Sequence, residues 1–284
     1  MPGLSAIVVS YNRREALLHT LRRLLETPGV DEIIVVDNGS SDGCAQAASD
    51  LLAGRHRVLA LNENTGVAAF NSGASIASGE FLLILDDDSW PEPTALHLAL
   101  AAARADRMLG AVALSPTHPR TGVREWPHVI NPTDALPMMG CGNLIRADAW
   151  RRAGGYESGY FLYRNDADLA LTLLGLGYRV LYDPEWTVWH DSPAAAAKSL
   201  RWLRLATRNW VWMARRHGVG FWKWLGVALG AVRAFMHAGE DTDRVQAVAE
   251  GLRAGLTQRP PPGASAPGGR WWRKLVLLQL TRGG

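Results

Sequence analysis

The run Phe81-Leu82-Leu83-Ile84-Leu85, just after Gly79, constrains this chain most. Five consecutive apolar residues read as a strand buried on both faces, which belongs inside a sheet covered on both sides. It runs directly into Asp86-Asp87-Asp88. Adjacent carboxylates repel one another, and none is cheap to take out of water. A divalent cation with oxygen ligands is the simplest compensation. A solvated turn or helix cap ahead of Ser89, Pro91 and Pro93 is the alternative.

Upstream, strand and helix signals alternate. Ala6 to Ser10, Asp31 to Asp37 and Val58 to Leu61 read as strands. Between them, Leu17, Leu18, Leu21, Leu24 and Leu25 recur at helical spacing, with Asn12 as a candidate cap. Cys44 to Ala53 and Ala68 to Ser78 also read as helices. This order predicts an α/β fold with a mixed, mostly parallel sheet flanked by helices. Ligands in such sheets bind beyond the carboxyl ends of the strands. Three strands end in polar clusters: Ser10-Tyr11-Asn12-Arg13, Asp37-Asn38-Gly39-Ser40 and Asp86-Asp87-Asp88. All three should face one crevice. From Gly110 to Asp191 the alternation weakens into an α+β extension of the same domain.

With 284 residues, 48% of them hydrophobic, the chain can bury a full core. Cys44 and Cys141 offer neither a disulfide framework nor a zinc pattern, which suits a reducing, cytoplasmic compartment. The short apolar stretch Leu4 to Val9 has no basic region before it and is not read as a signal peptide. The net charge of +3 hides an asymmetry: residues 1–191 carry −8 and residues 192–284 carry +11. Seven of the twelve tryptophans lie in the basic part. The expected division is a catalytic domain over 1–191, an amphipathic helical region over 192–257, a Pro/Gly linker over 258–269 and a Trp-basic tail over 270–284. In Lys198 to His217, Arg201, Arg204, Arg208 and Arg215 fall on one face of a helix and Trp202, Leu203, Ala206, Trp210 and Met213 on the opposite face. That pattern fits a helix lying in an anionic membrane interface. Packing of Trp202, Trp210 and Trp212 on the catalytic domain, or a homodimer contact, is the alternative. The acidic domain alongside argues against nucleic acid as a partner.

Residues 4–191 resemble a family 2 inverting glycosyltransferase of the GT-A fold, a Rossmann-like architecture, close to a bacterial rhamnosyltransferase-like branch. The resemblance rests on ordered segments: Val8-Val9-Ser10-Tyr11-Asn12-Arg13, Val35 to Gly43, Asn64-Thr65-Gly66 with Asn71-Ser72-Gly73, Leu85 to Asp88, Asn165-Asp166-Ala167-Asp168-Leu169, and His190. It implies a nucleoside-diphosphate sugar donor (UDP-, dTDP- or GDP-), a hydroxyl acceptor such as a cell-envelope or lipid-linked glycan, and Mn²⁺ or Mg²⁺ as cofactor. Ser10, Tyr11, Asn12, Arg13, Asp37, Asn38, Gly66 and Asn71 would hold the donor nucleotide. The aspartate triplet resembles the DxD motif. Asp88 is then the metal ligand, Asp86 a ribose or metal residue, and Asp87 a nucleotide-side residue of open role. Asp166 would be the general base with Asp168 as fallback, although Asn165 stands where relatives often carry Glu. His190 would be a third metal ligand or a structural residue. Gly140-Cys141-Gly142-Asn143 resembles the loop near sugar and acceptor, with Cys141 read as packing.

Two other classes compete. A sugar nucleotidyltransferase lacks its Gly-rich, basic phosphate loop here, and no G-x-G-x-x-G follows the first strand for a dinucleotide enzyme. A non-catalytic nucleotide-sugar binder or membrane-bound scaffold would keep the crevice without turnover.

Overall fold

The computed structural model describes residues 3–54, 56–125, 133–134, 141–192, 199–261 and 269–281. Within them the chain runs β1 (Leu4–Ser10), α1 (Arg14–Leu25), β2 (Glu32–Asp37), α2 (Cys44–Leu52), β3 (Arg57–Ala60), α3 (Ala68–Ile76) and β4 (Phe81–Asp86). It continues through β5 (Ser89–Pro91), α4 (Pro93–Ala105), β6 (Leu109–Thr117), β7 (Thr133–Asp134), β8 (Asn143–Arg146), α5 (Ala147–Ala153), α6 (Asn165–Gly175) and β9 (Arg179–His190). Four helices follow: α7 (Leu200–His217), α8 (Gly220–Ala238), α9 (Thr242–Thr257) and α10 (Arg270–Thr281).

One sheet has the order β3-β2-β1-β4-β8-β6-β9-β5, with β7 added on β9. The β3-β2-β1-β4 half is parallel, and β8 joins β4 antiparallel. Side chains alternate across it as the pleat requires. Ile7, Ile34 and Ile84 face a core with α3, α5 and α6, whereas Ala6, Val8, Ile33 and Leu83 face α1, α2 and α4. The two-sided burial read from the apolar runs is therefore realised.

One cap is corrected. α1 starts after Arg13, and Asn12 makes no cap. Asn12 has φ 53° and its Oδ1 accepts the Ser41 N–H at 2.8 Å, tying the first two strand-end loops together. The Leu pattern of α1 is otherwise as expected, except that Leu25 is exposed.

The larger correction concerns α7. Trp210 and Trp212 are buried, and Trp210, Val211, Met213 and Ala214 join the core beneath α6. Trp272 of α10 is fully buried in the same core, and its indole N–H donates to the Trp222 carbonyl at 2.9 Å. The tryptophan face of α7 thus packs on the α/β unit and is not available to a membrane. Among the described residues no helix is long and apolar enough to cross one. Lys198, the core of the Pro/Gly segment (262–268) and the end of the tail (282–284) lie outside the described residues.

Candidate active site

Parallel register sets the site. Ser10 pairs with Asp37 across β1 and β2, and Val9 pairs with Asp86 across β1 and β4. The three polar strand ends therefore open on one side, around a crevice of about 710 Å³. Of the residues singled out from sequence, Tyr11, Arg13, Asn38, Gly66, Asp86, Asp87, Asp88, Asp166 and His190 line it. Tyr11 is 45% exposed, an aromatic face left open at the mouth.

The three aspartates have three environments. Asp87 receives the Ser10 hydroxyl and Arg13 Nη1, both at 2.8 Å. Burial nevertheless pushes its carboxyl up to about 7, outweighing Arg13 and Ser10. Asp86 is pushed up to about 6, first by burial and then by the neighbouring Asp88. Burial also acts on Asp88, but contact with His190 and Arg13 wins and holds its carboxyl below the usual range. Arg13 Nη2 donates to Asp88 Oδ2 at 2.8 Å. Asp88 Oδ1 lies 3.3 Å from His190 Nε2 and is buried with no hydrogen-bond donor among the described residues. His190 Nδ1 contacts Glu125, and its proton affinity is raised despite burial by Asp88, Cys141 and Glu125.

These residues fit a cation. Asp86, Cys141 and His190 each bring one ligand atom within 4.8 Å of the others, and the orphaned Asp88 oxygen contacts the same imidazole. Carboxylate and imidazole donors suit a first-row divalent ion. Burial pushes the Cys141 thiol up to about 12, so it remains protonated beside His190. Cys141 therefore packs under the site, as read from sequence, but within ligand range of it.

Asp166 opens α6 and is almost fully buried where it lines the crevice. The Tyr156 hydroxyl donates to its Oδ1, and Asn143 Nδ2 lies 3.5 Å from the same oxygen. Burial raises its carboxyl to about 6, against the Tyr156 bond that favours the anion. Asp166 and Asp86 are close enough for their charges to repel. Asp168, the fallback, is placed outside the crevice lining. Two residues on, it points about 200° around the helix. There it accepts from the Tyr160 hydroxyl (2.8 Å), contacts His217 Nε2 (2.8 Å) and pairs with Arg216 (3.0 Å), which docks α7 onto α6.

The remaining wall is a strained loop. Phe161, Tyr163 and Arg164 all have positive φ, an unfavourable region for such side chains. Asn209 of α7 holds it, its Nδ2 donating to the carbonyls of Tyr160, Leu162 and Tyr163 at 2.7–3.1 Å. Arg208 adds bonds to the Gly159 and Tyr160 carbonyls. Opposite, the Val67 N–H donates to the Phe161 carbonyl at 2.7 Å. A Cβ on Gly66 (φ +62°) would sit 2.1 Å from that oxygen, so only glycine fits.

Several residues assigned to the donor from sequence have structural occupations. Asn38 accepts the Thr65 N–H and donates to Asn64 and the Gly66 carbonyl, shaping the loop that lines the crevice. Asn71 is turned away from the crevice, with both ends of its amide on the Tyr156 backbone. Ser10 lies under Asp87, and Asp37 stands beside the lining with Oδ1 on the Ser40 N–H. Gly142 links β4 to β6 through its N–H and carbonyl, and a Cβ there would strike Val188. Gly140 lies outside the described residues. Sequence reasoning missed Tyr156, which nothing in the local pattern marks, and Arg201 and Trp202, which reach the crevice from α7. Their helix was legible, but its docking site was not.

Sheet order, strand-end crevice and acidic cluster have the arrangement of a GT-A fold. The family model for glycosyl transferase family 2 matches residues 5–170, and the chain belongs to that family. It is 26% identical over 198 residues to the uncharacterized glycosyltransferase YaiP of Escherichia coli, covering 62% of this chain and 49% of that protein. It is 26% identical over 212 residues to poly-beta-1,6-N-acetyl-D-glucosamine synthase of Staphylococcus aureus, covering 66% and 50%. To the succinoglycan biosynthesis protein ExoO of Rhizobium meliloti it is 29% identical over 107 residues, 37% and 31% of the two chains. The matched stretch thus spans between about a third and a half of these relatives. Among solved structures, the mannosyltransferase PcManGT from Pyrobaculum calidifontis, in complex with GDP-Man and Mn²⁺, aligns with a TM-score of 0.64 at 20% identity, over 99% of this chain and 80% of that one. GalNAc-T7 with UDP, GalNAc and Mn²⁺ aligns with a TM-score of 0.67 at 13% identity, over 99% and 57%. These likenesses concern the fold.

Proposed function

We propose that the chain transfers a sugar from a nucleoside-diphosphate sugar to a hydroxyl acceptor with inversion, in a cation-dependent reaction. The observation that carries this reading is Asp166, a carboxylate in the crevice wall, oriented by Tyr156 and raised by burial to about 6. A base with that affinity is mostly ionised at neutral pH and still able to take a proton. Asp166 removes the proton of the acceptor hydroxyl as its oxygen bonds to the anomeric carbon. The bond from that carbon to the diphosphate breaks, and its electron pair leaves with the nucleoside diphosphate. Asp86, Asp88 and His190 would hold Mn²⁺ or Mg²⁺, which supplies neutralisation of charge growing on the leaving group. The imidazole in that set favours Mn²⁺. Tyr11 covers the base face, and Arg13 balances Asp87 and Asp88 until the diphosphate and cation arrive. Similarity to a polysaccharide synthase and a succinoglycan biosynthesis protein supports a glycan acceptor.

A thermal-shift screen of UDP-, GDP- and dTDP-sugars, with and without Mn²⁺, tests the binding half. One donor should raise the melting temperature in Mn²⁺ and do so far less without it. If none raises it under either condition, the reading fails.

A further inference from the structure

The tryptophan face of α7 is buried, yet the basic C-terminal part still presents an apolar surface, on a different helix. Along α8, the exposed apolar side chains are Phe221, Trp224, Ala228, Val232, Phe235 and Met236. Their spacing of three and four residues places them on one face. Phe221 is 69% and Met236 75% exposed, so these are not rim residues of a core. The stripe runs for about 22 Å at the rise of an α-helix. Neither α8 nor α10 contains a single aspartate or glutamate.

Cations border the stripe. The Phe221 and Trp222 rings are 5.7 Å apart, and the Arg273 guanidinium lies 5.0 Å from the Trp222 ring on its way to solvent. Arg270 and Lys274 sit at 5.1 and 5.4 Å from the neighbouring Trp271 ring. Lys223 adjoins Trp224. A partner therefore has to accept a narrow apolar ridge and, beside it, a cluster of positive charge. Six side chains on one helix fall well short of the ~20–30 residues a side that a stable protein interface uses. A lipid surface has no such requirement, because it closes around a ridge of any width.

We propose that α8 docks this protein onto an anionic bilayer surface. The ridge from Phe221 to Met236 sits among the headgroups and upper acyl chains, and Arg270, Arg273 and Lys274 face the lipid phosphates. The helix lies on the membrane, and among the described residues no helix is long and apolar enough to span it. Its far end reaches the crevice wall: His237 packs edge-on against Trp202, which lines the crevice. Docking would hold that opening next to the lipid surface. The inference is independent of the transfer reaction.

Co-sedimentation of the full chain with vesicles tests it. The protein should pellet with phosphatidylcholine vesicles containing phosphatidylglycerol and far less with pure phosphatidylcholine. The double variant Trp224→Ser, Met236→Ser should lose about tenfold or more in vesicle affinity, the least expected from removing those two side chains from the lipid. Its melting temperature should be unchanged, because both side chains are exposed. Arg273→Glu with Lys274→Glu should weaken binding and flatten its salt dependence. The proposal is overturned if the wild type stays in the supernatant, or if the Trp224→Ser, Met236→Ser variant pellets as well as the wild type. A dimer that this variant turns into a monomer, without vesicle binding, would assign the ridge to a second copy. A marked fall in its melting temperature would assign the ridge to the chain's own packing. Either result also overturns the proposal.

Discussion

At the residue scale, Tyr156 decides how Asp166 behaves. Its hydroxyl is the bond that favours the anion against a burial that opposes it. Tyr156→Phe removes that bond and keeps the ring, so the acidic limb of the kcat–pH profile should move upward. A hydrogen bond to a charged group is worth about 1.5–3 kcal/mol, which predicts a shift of about one to two pH units. An unmoved limb would separate Tyr156 from the base. The aspartate triplet makes a second prediction. Asp86 and Asp87 bind protons more tightly folded than unfolded, with values of about 6 and 7 against an ordinary 3.8. The stability they confer is present below about pH 4 and is lost as pH rises toward 7. Without divalent ions, melting temperature should therefore fall between pH 5 and 7.5. Mn²⁺ should raise it more at pH 7.5 than at pH 5. An equal effect at both would argue against a cation at Asp86.

At the element scale, α7 works as a brace. Asn209 donates to carbonyls of the loop from Tyr160 to Tyr163, in which Phe161 and Tyr163 have positive φ. Asn209→Ala should cost about 1–3 kcal/mol in stability, by urea unfolding, since the Leu162 and Tyr163 carbonyls lose this donor while the Tyr160 carbonyl keeps Arg208. It should also raise the KM for the donor, because Leu162 and Tyr163 line the crevice. Strands β1, β2 and β4 were legible in the sequence because apolar runs buried on both faces have few other destinations. Their polar ends were legible for the same reason. Asp166 was ranked above Asp168 only through the family resemblance, since both lie in the first turn of α6 and their partners are what tell them apart. Those partners, Tyr156 for one and Arg216 with His217 for the other, come from other elements. The amphipathic pattern of α7 marked an apolar face, read first as a membrane face, but carried no information on what covers it.

At the scale of the whole molecule, the composition break near residue 192 does not separate two cores. Trp210, Trp272 and Val276 share one cluster with Ile7, Ile34 and Tyr182 of the sheet. A chain ending at Asp191 should therefore lose the cooperative melt of the full protein and expose apolar surface to dye. A normal melt would mean that α7 to α10 are dispensable to the fold. The same packing lets the C-terminal helices complete the crevice, through Arg201 and Trp202, that the strand ends begin. The claim joining these scales is that a buried, tyrosine-oriented carboxylate drives transfer in a crevice built by both halves. Asp166→Asn tests it most directly, measured as sugar transfer in Mn²⁺ alongside the donor-induced rise in melting temperature. Transfer should fall by at least about a hundredfold while the donor-induced rise persists, as expected for loss of a general base. Transfer at the wild-type rate, with Asp166 gone and the donor still bound, would contradict the account.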